Sequence, residues 1–131
     1  MLELMITFTI LGILVGIAIP SWQGHLRKAR RADAKISLQY TATAQETYFF
    51  QHNRYATKFS ELSGVAESVV AMPSKEGFYA ITMEADDFSW TMAATAVDQQ
   101  TYDKQCASFL QNHLGDHSAV DADGLAISGC W

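Results

Sequence analysis

Positive charge, cysteine and catalytic signatures are what this chain has little of. Nine Lys and Arg stand against fourteen Asp and Glu, a formal net charge of −5, with a sequence pI near 5.2. That balance excludes a surface built throughout to hold nucleic acid and leaves room only for a local basic patch. The two cysteines, Cys106 and Cys130, lack the C-x-x-C spacing of a redox pair or a zinc ribbon. A structural disulfide fits them, two buried free thiols being the other reading. Closing about 25 residues would contribute roughly 3–4 kcal/mol in the chain-entropy model, and such a bond favours an oxidising compartment. There is no G-x-S-x-G and no Ser-x-x-Lys, and the carboxylates follow no pattern. No enzymatic activity and no cofactor are therefore expected. Internal repeats and low-complexity tracts are missing too, and 131 residues suffice for one folded domain.

What is present is an apolar run. Residues 4–20 read LMITFTILGILVGIAIP, without a charge. A helix of that length rises about 25 Å, just short of the ~30 Å hydrocarbon thickness, so it spans a bilayer only with help from its flanks. A cleaved signal peptide would need basic residues at its start and small residues at its end. Met1 and Leu2 supply no charge, and Pro20-Ser21-Trp22 is a poor cleavage site. Glu3 sits at the mouth of the run, and a carboxylate there either meets a cation or stays solvated among headgroups. Gly12 and Gly16 form G-x-x-x-G, which lets helices approach closely. Pro20 is expected to kink or locally melt the helix where the run ends.

Arg27, Lys28, Arg30, Arg31 and Lys35 follow the run while nothing basic precedes it. The positive-inside rule would hold these residues in the cytoplasm, against the oxidising side that a disulfide asks for. A basic leader on the translated precursor, or reduced cysteines, would remove the conflict.

Beyond Pro20, Leu26, Ala29, Ile36, Tyr40, Ala44 and Tyr48 recur at helical spacing. They predict an amphipathic helix to about His52, lying with this stripe across a sheet. Asn53 ends it, and a connecting loop through Gly64 to Gly77 contains Pro73. Residues 78–85 and 88–97 read as strands around an Asp86-Asp87 turn, with Trp90, Met92, Ala94 and Ala96 facing the helix. Residues 106–110 read as a third candidate strand. Residues 111–129, rich in Asn, Asp, Gly and Ser, read as a loop for the disulfide to restrain.

Three constellations carry alternatives. The basic cluster is either a nucleic-acid contact or a solvated face meeting lipid headgroups or a neighbour's acidic surface, and Asp33 within it favours the second. His113 and His117, four apart with Asp116 nearby, have metal-ligand spacing on a helix, but Gly115 argues against a helix and no metal is expected. Asp121-x-Asp123-Gly124 offers hard oxygens, yet without an EF-hand spacing it reads as an Asp-Gly turn.

The stretch MLELMITFTILGILVGIAIPSW resembles the mature N-terminus of the type IV pilin family. RKARRADAKISLQ with QETYFFQHNRYAT is similar to the helix of its PilE-type minor pilins, and Cys106 with the ending Cys130-Trp131 to their closed C-terminal loop. The resemblance implies an α+β type IV pilin fold: a long N-terminal helix, half membrane or filament core and half amphipathic, packed on a small antiparallel sheet with a disulfide-closed C-terminal loop. Residues 1–20 would be the membrane or filament-core helix, 21–53 its amphipathic continuation, and 54–131 the globular head.

The implied role is that of a structural minor pilin, serving pilus assembly, twitching motility or surface attachment. Its partners would be other pilin subunits, the inner membrane before assembly, a prepilin peptidase that removes a basic leader, and the assembly machinery. The head would face the periplasm until the subunit joins an extracellular pilus. Glu3 matches the family's glutamate, which meets the N-terminal amine of a neighbouring subunit, while Gly12, Gly16 and Pro20 would pack the filament core. The leader and the family's opening Phe are missing, and Met1 stands at the third mature position, as for a misassigned start or a truncated chain. The alternatives are a type II secretion pseudopilin, some of which hold calcium near the C-terminal loop, and a DNA-uptake or adhesion receptor.

Overall fold

The computed structural model describes residues 2–66 and 68–131, and for residues 17–21 the backbone only. A single helix, α1 (Leu2–His52), runs for 51 residues. It stays helical through Pro20, so the expected local melting is not seen. The packing roles expected of the Pro20 side chain and the register expected of Met1 lie outside the described residues. The helix stops where anticipated: Asn53 adopts φ 54° and its N–H donates back to the Phe49 carbonyl at 2.8 Å. Asn tolerates this left-handed conformation because its short polar side chain offsets the steric cost.

Five antiparallel strands follow in simple meander order: β1 (Ala71–Pro73), β2 (Tyr79–Ala85), β3 (Trp90–Ala96), β4 (Ser108–Asn112) and β5 (His117–Val120). A short helix, α2 (Phe59–Ser63), precedes them, and a 3-10 turn covers Asp98–Tyr102. Side chains alternate across β3, and Trp90, Met92, Ala94 and Ala96 are buried as the parity predicted. They join Tyr79, Ile81, Phe109 and Ala119 in one core beneath α1. Cys106 and Cys130 are bonded, with Cα atoms 6.0 Å apart.

Two expected loops contain structure. The connection after α1 holds α2 and the edge strand β1, whose Pro73 pairs with Ala80. Proline is tolerated there because an edge strand has an unpaired side. Residues 111–129 hold the end of β4 and all of β5. Only Ala119 of β5 is buried, so this strand carries no hydrophobic alternation by which to read it.

The largest correction concerns which face of α1 meets the sheet. Ile36 is 59% exposed and Tyr40 79%. The buried positions are Ala34, Leu38 and Ala42, interleaved with Asp33, Ser37 and Gln45. The sheet already supplies bulk through Tyr79, Met92, Trp90 and Phe109, so alanines at 34 and 42 on either side of Leu38 let the two layers close up. The buried polar side chains are clamps. Asp33 accepts from Ser74 Oγ and from the Glu76 and Phe78 N–H groups, and Ser37 Oγ accepts from Lys75 N–H. Gln45 holds Ala56 from both sides: its Nε2 donates to the carbonyl at 2.7 Å and its Oε1 accepts from the N–H at 2.9 Å. Burying these backbone groups without partners would be costly, and the helix satisfies them.

Candidate assembly interface

Every described side chain of residues 2–16 is exposed, among them Leu4, Phe8, Ile10 and Leu14. Nothing lies within 4 Å of where a Cβ would stand on Gly12 or Gly16. Any close approach there must come from another chain. Glu3 occupies the first turn of α1, where the helix dipole favours a carboxylate. Among the described residues no helix is long and apolar enough to cross a membrane, and part of the span expected over residues 4–20 lies outside them.

The uncovered face does not end with the apolar run. Met5, Phe8, Gly12, Val15, Ile19, Trp22, Leu26, Ala29, Asp33, Ile36, Tyr40, Thr43, Thr47 and Phe50 succeed one another at alternating spacings of three and four. That is the seam spacing of a coiled coil. Trp22 is 69% exposed and Phe50 89%, and among the described side chains of the seam only Asp33 is buried. On the C-terminal half the seam lies off the sheet-facing side of the helix, and its Ile36 and Tyr40 line a groove of about 510 Å³ with Met72, Pro73 and Ile81. The stripe read from the sequence is therefore real, but it faces away from the head's own core.

The five cations expected as a surface-charge cluster divide in use. Arg31 leaves the surface for a two-pronged ion pair with Asp103, at 2.6 and 2.8 Å. That bond holds its guanidinium pKa above the ordinary value. Arg27 donates to the Tyr102 carbonyl at 3.1 Å, Arg30 lies 4.3 Å over the Phe78 ring, and Lys35 stands 5.9 Å from the Phe109 and Trp131 rings. Lys28 is exposed. Gln100, fully buried, ties the same region together by donating to the Arg27 carbonyl and the Tyr79 hydroxyl. Burial pushes that hydroxyl's pKa up to about 12.

At the other end of the head, Glu61 accepts from Arg54 at 2.7 Å, from Tyr48 Oη and from Thr57 N–H. Arg54 foremost holds the Glu61 carboxyl down at about 2. His113 and His117 do not share a helix. They flank a hairpin turn closed by Asn112, whose Oδ1 accepts from Leu114 and Asp116 N–H, and Gly115 takes φ 83° there. The His117 ring meets Trp131 edge-on. Among the described residues no group of three His, Cys, Asp or Glu is arranged to hold a metal. Asp121 spends its Oδ1 on the Asp123 and Leu125 N–H groups, forming the anticipated turn.

This architecture has known counterparts. A family model described as type IV minor pilin ComP, DNA uptake sequence receptor, matches residues 20–110. The chain belongs to this type IV minor pilin family. Over 67 residues it is 34% identical to the type IV major pilin protein PilA of Myxococcus xanthus (strain DK1622), a match covering 51% of this chain and 30% of that pilin's length. The structure of a type IV pilin from Shewanella oneidensis superimposes with a TM-score of 0.51, at 23% identity, over 80% of this chain and 97% of that one. The pilin fold of a long helix on an antiparallel sheet is thus shared. Pilins are structural rather than catalytic proteins, and Glu3, Gly12 and Gly16 precede the stretch that the family model matches.

Proposed function

We propose that this pilin is a structural subunit of a type IV pilus, acting as a minor component in its assembly or display. The observation that carries the reading is the apolar seam of α1, uncovered over both the N-terminal run and the length of the head. An isolated chain gains nothing from it, whereas helices packed side by side bury it. Each large side chain so buried contributes about 1.5–3 kcal/mol. Glu3 orients an incoming helix against the N-terminal amine of its neighbour, Gly12 and Gly16 let the helices close up, and the apolar run holds the subunit in the inner membrane until it is extracted.

The deciding experiment measures this protein, relative to the major pilin, in filaments sheared from cells and in the membranes left behind. Trace amounts in the fibres support the minor-pilin reading. Stoichiometric amounts make it the major subunit, and strict retention in membranes supports a secretion pseudopilin instead.

A DNA-receptor role is favoured by one observation, the family model's description. The net charge of −5 and the internal use of Arg31 count against a strong phosphate-binding face. Salt-dependent binding of a DNA duplex to the full chain tests it, since each phosphate contact steepens the salt dependence.

A further inference from the structure

The three cations nearest the apolar run, Arg27, Lys28 and Arg30, do not share the role of Arg31. Among the described residues none of them forms an ion pair with a carboxylate. Arg27 reaches only backbone carbonyls, and Arg30 reaches an aromatic ring. Successive helix residues are turned by about 100° and rise about 1.5 Å, so Arg27 and Arg30 stand about 60° apart, Lys28 about 100° to the other side of Arg27, and all three lie within a slab about 5 Å thick. They form a partial collar over a little under half of the helix circumference.

The collar has aromatic company. Trp22 lies one turn below it and Tyr102 beside it, both exposed. Arg27 and Arg30 open into a cleft of about 620 Å³, lined also by Gln23, Leu26, Gln99 and Tyr102. Exposed Trp and Tyr flanking long cationic side chains, just past an apolar helix, make up the composition of a bilayer interface. The heights agree with it. Counted from residue 19, Trp22 stands about 5 Å up the helix and Arg27 about 12 Å, and an arginine side chain reaches back towards the phosphates. Glu84, Asp86 and Asp87 lie at and beside the β2–β3 turn and Asp116 at the β4–β5 turn, at the end of the sheet beside the C-terminus of α1, where Tyr55 N–H donates to the Asp87 carbonyl. The end nearer the three cations carries both signs, with Glu76 beside Arg30 and Lys75 and Asp98 opening the turn that ends at Tyr102.

We propose that this collar seats the head on an anionic phospholipid surface before the subunit leaves the membrane. The inference rests on the inner-membrane part of the function proposed above. A plane crossing the helix axis just past the apolar run meets all three cations within that slab, and a bilayer surface is where exposed Trp and Tyr beside long cations belong. The lipid phosphates occupy the cleft between Arg27, Arg30 and Tyr102, and the β2–β3 and β4–β5 turns with their carboxylates lie at the far end of the sheet. The collar thereby fixes the tilt of the head, holding the seam of α1 upright for a neighbouring helix.

The test uses the full chain in nanodiscs of phosphatidylcholine mixed with phosphatidylglycerol, with the lipids that stay bound identified by native mass spectrometry. A cation at a membrane surface is worth about a fivefold preference for anionic lipid, so three give enrichment of phosphatidylglycerol on the order of 100-fold. The variant carrying Arg27→Gln, Lys28→Gln and Arg30→Gln is expected to fall to the bulk lipid ratio. Arg27→Lys with Arg30→Lys, which keeps the charge, is expected to retain the enrichment. Wild-type protein at the bulk ratio, or undiminished enrichment in the triple variant, overturns the proposal. So does a DNA duplex that binds the wild type and not the triple variant while no lipid preference is seen, which assigns the collar to nucleic acid. Wild-type protein in sheared filaments is scored separately, so loss of the lipid preference and loss of the pilus role are distinguishable.

Discussion

Arg31 of α1 and Asp103, three residues before Cys106, face each other as a fork-to-fork pair: Nε meets Oδ2 at 2.6 Å and Nη2 meets Oδ1 at 2.8 Å. Both side chains are nearly buried. The pair fastens the helix to the segment from which β4 and the disulfide begin, the only covalent closure among the described residues.

Removing one partner strands the other in a low-dielectric site, which costs more than the intact pair contributes. Arg31→Gln is expected to destabilise the head by roughly 3–5 kcal/mol. Arg31→Lys also weakens it, because a point charge cannot reproduce the two parallel bonds. Denaturant unfolding of the full chain in detergent measures both. A lysine variant as stable as wild type would show that charge alone matters here.

Gln45 gives a second, more local prediction. Gln45→Ala frees both backbone groups of Ala56, which is itself buried, and each stranded group costs about 1–3 kcal/mol. Hydrogen exchange at the Ala56 amide should accelerate well before the core amides do. Uniform acceleration across the sheet would mean instead that the clamp is part of the global fold.

The cluster around Glu61 sets an acid dependence. Its pKa in the folded head is about 2, against an ordinary 4.5. A depressed carboxylate pKa contributes stability that is fully present above the unfolded value and is lost as pH falls through the folded one. Unfolding midpoints of wild type and Glu61→Gln should therefore differ near neutral pH and converge as pH drops from about 4.5 towards 2. The site is partly exposed, so the gap should also narrow in high salt. Curves that stay parallel across that window would assign the acid sensitivity elsewhere.

Why the sequence reveals some of this and hides the rest can be argued from α1 and β5. The disulfide has only two cysteines to join. The helix end at Asn53, the inward parity of β3 and the Asp121 turn each depend on local chemistry, and local chemistry is written in neighbouring residues. The sheet-facing side of α1 is not. Its apolar contacts are Ala34, Leu38, Ala42 and Phe49, only two of them large, and Asp33, Ser37 and Gln45 stand among them, so its hydrophobic signature is weaker than that of the exposed stripe. The stronger stripe, running through Leu26, Ile36 and Tyr40, is left uncovered by the single chain, and periodicity cannot say which molecule a stripe faces. In β5 a single inward residue leaves nothing for alternation to detect.

Glu3 offers a clean separation of folding from assembly. It lies at the far end of α1 from the head, so Glu3→Ala is expected to leave the protein at wild-type abundance in membranes while its share of sheared filaments falls tenfold or more. Glu3→Gln, which keeps the shape and loses the charge, should behave in the same way. Unchanged incorporation of both would remove the amine-pairing role.

The seam over the head gives the most discriminating prediction, because its residues contribute little to the folded monomer. Ile36→Ser with Tyr40→Ser removes two exposed side chains, and surface changes of that kind alter stability by about 0.5 kcal/mol or less. If a neighbouring helix covers them, the same change deletes two buried apolar contacts at about 1.5–3 kcal/mol each. The double variant should therefore melt with the wild type and yet be depleted from filaments by tenfold or more. Equal depletion from membranes and filaments would point to turnover of the monomer. Normal incorporation would restrict assembly to the N-terminal run and leave the groove beside Met72 and Ile81 solvent-filled in the pilus.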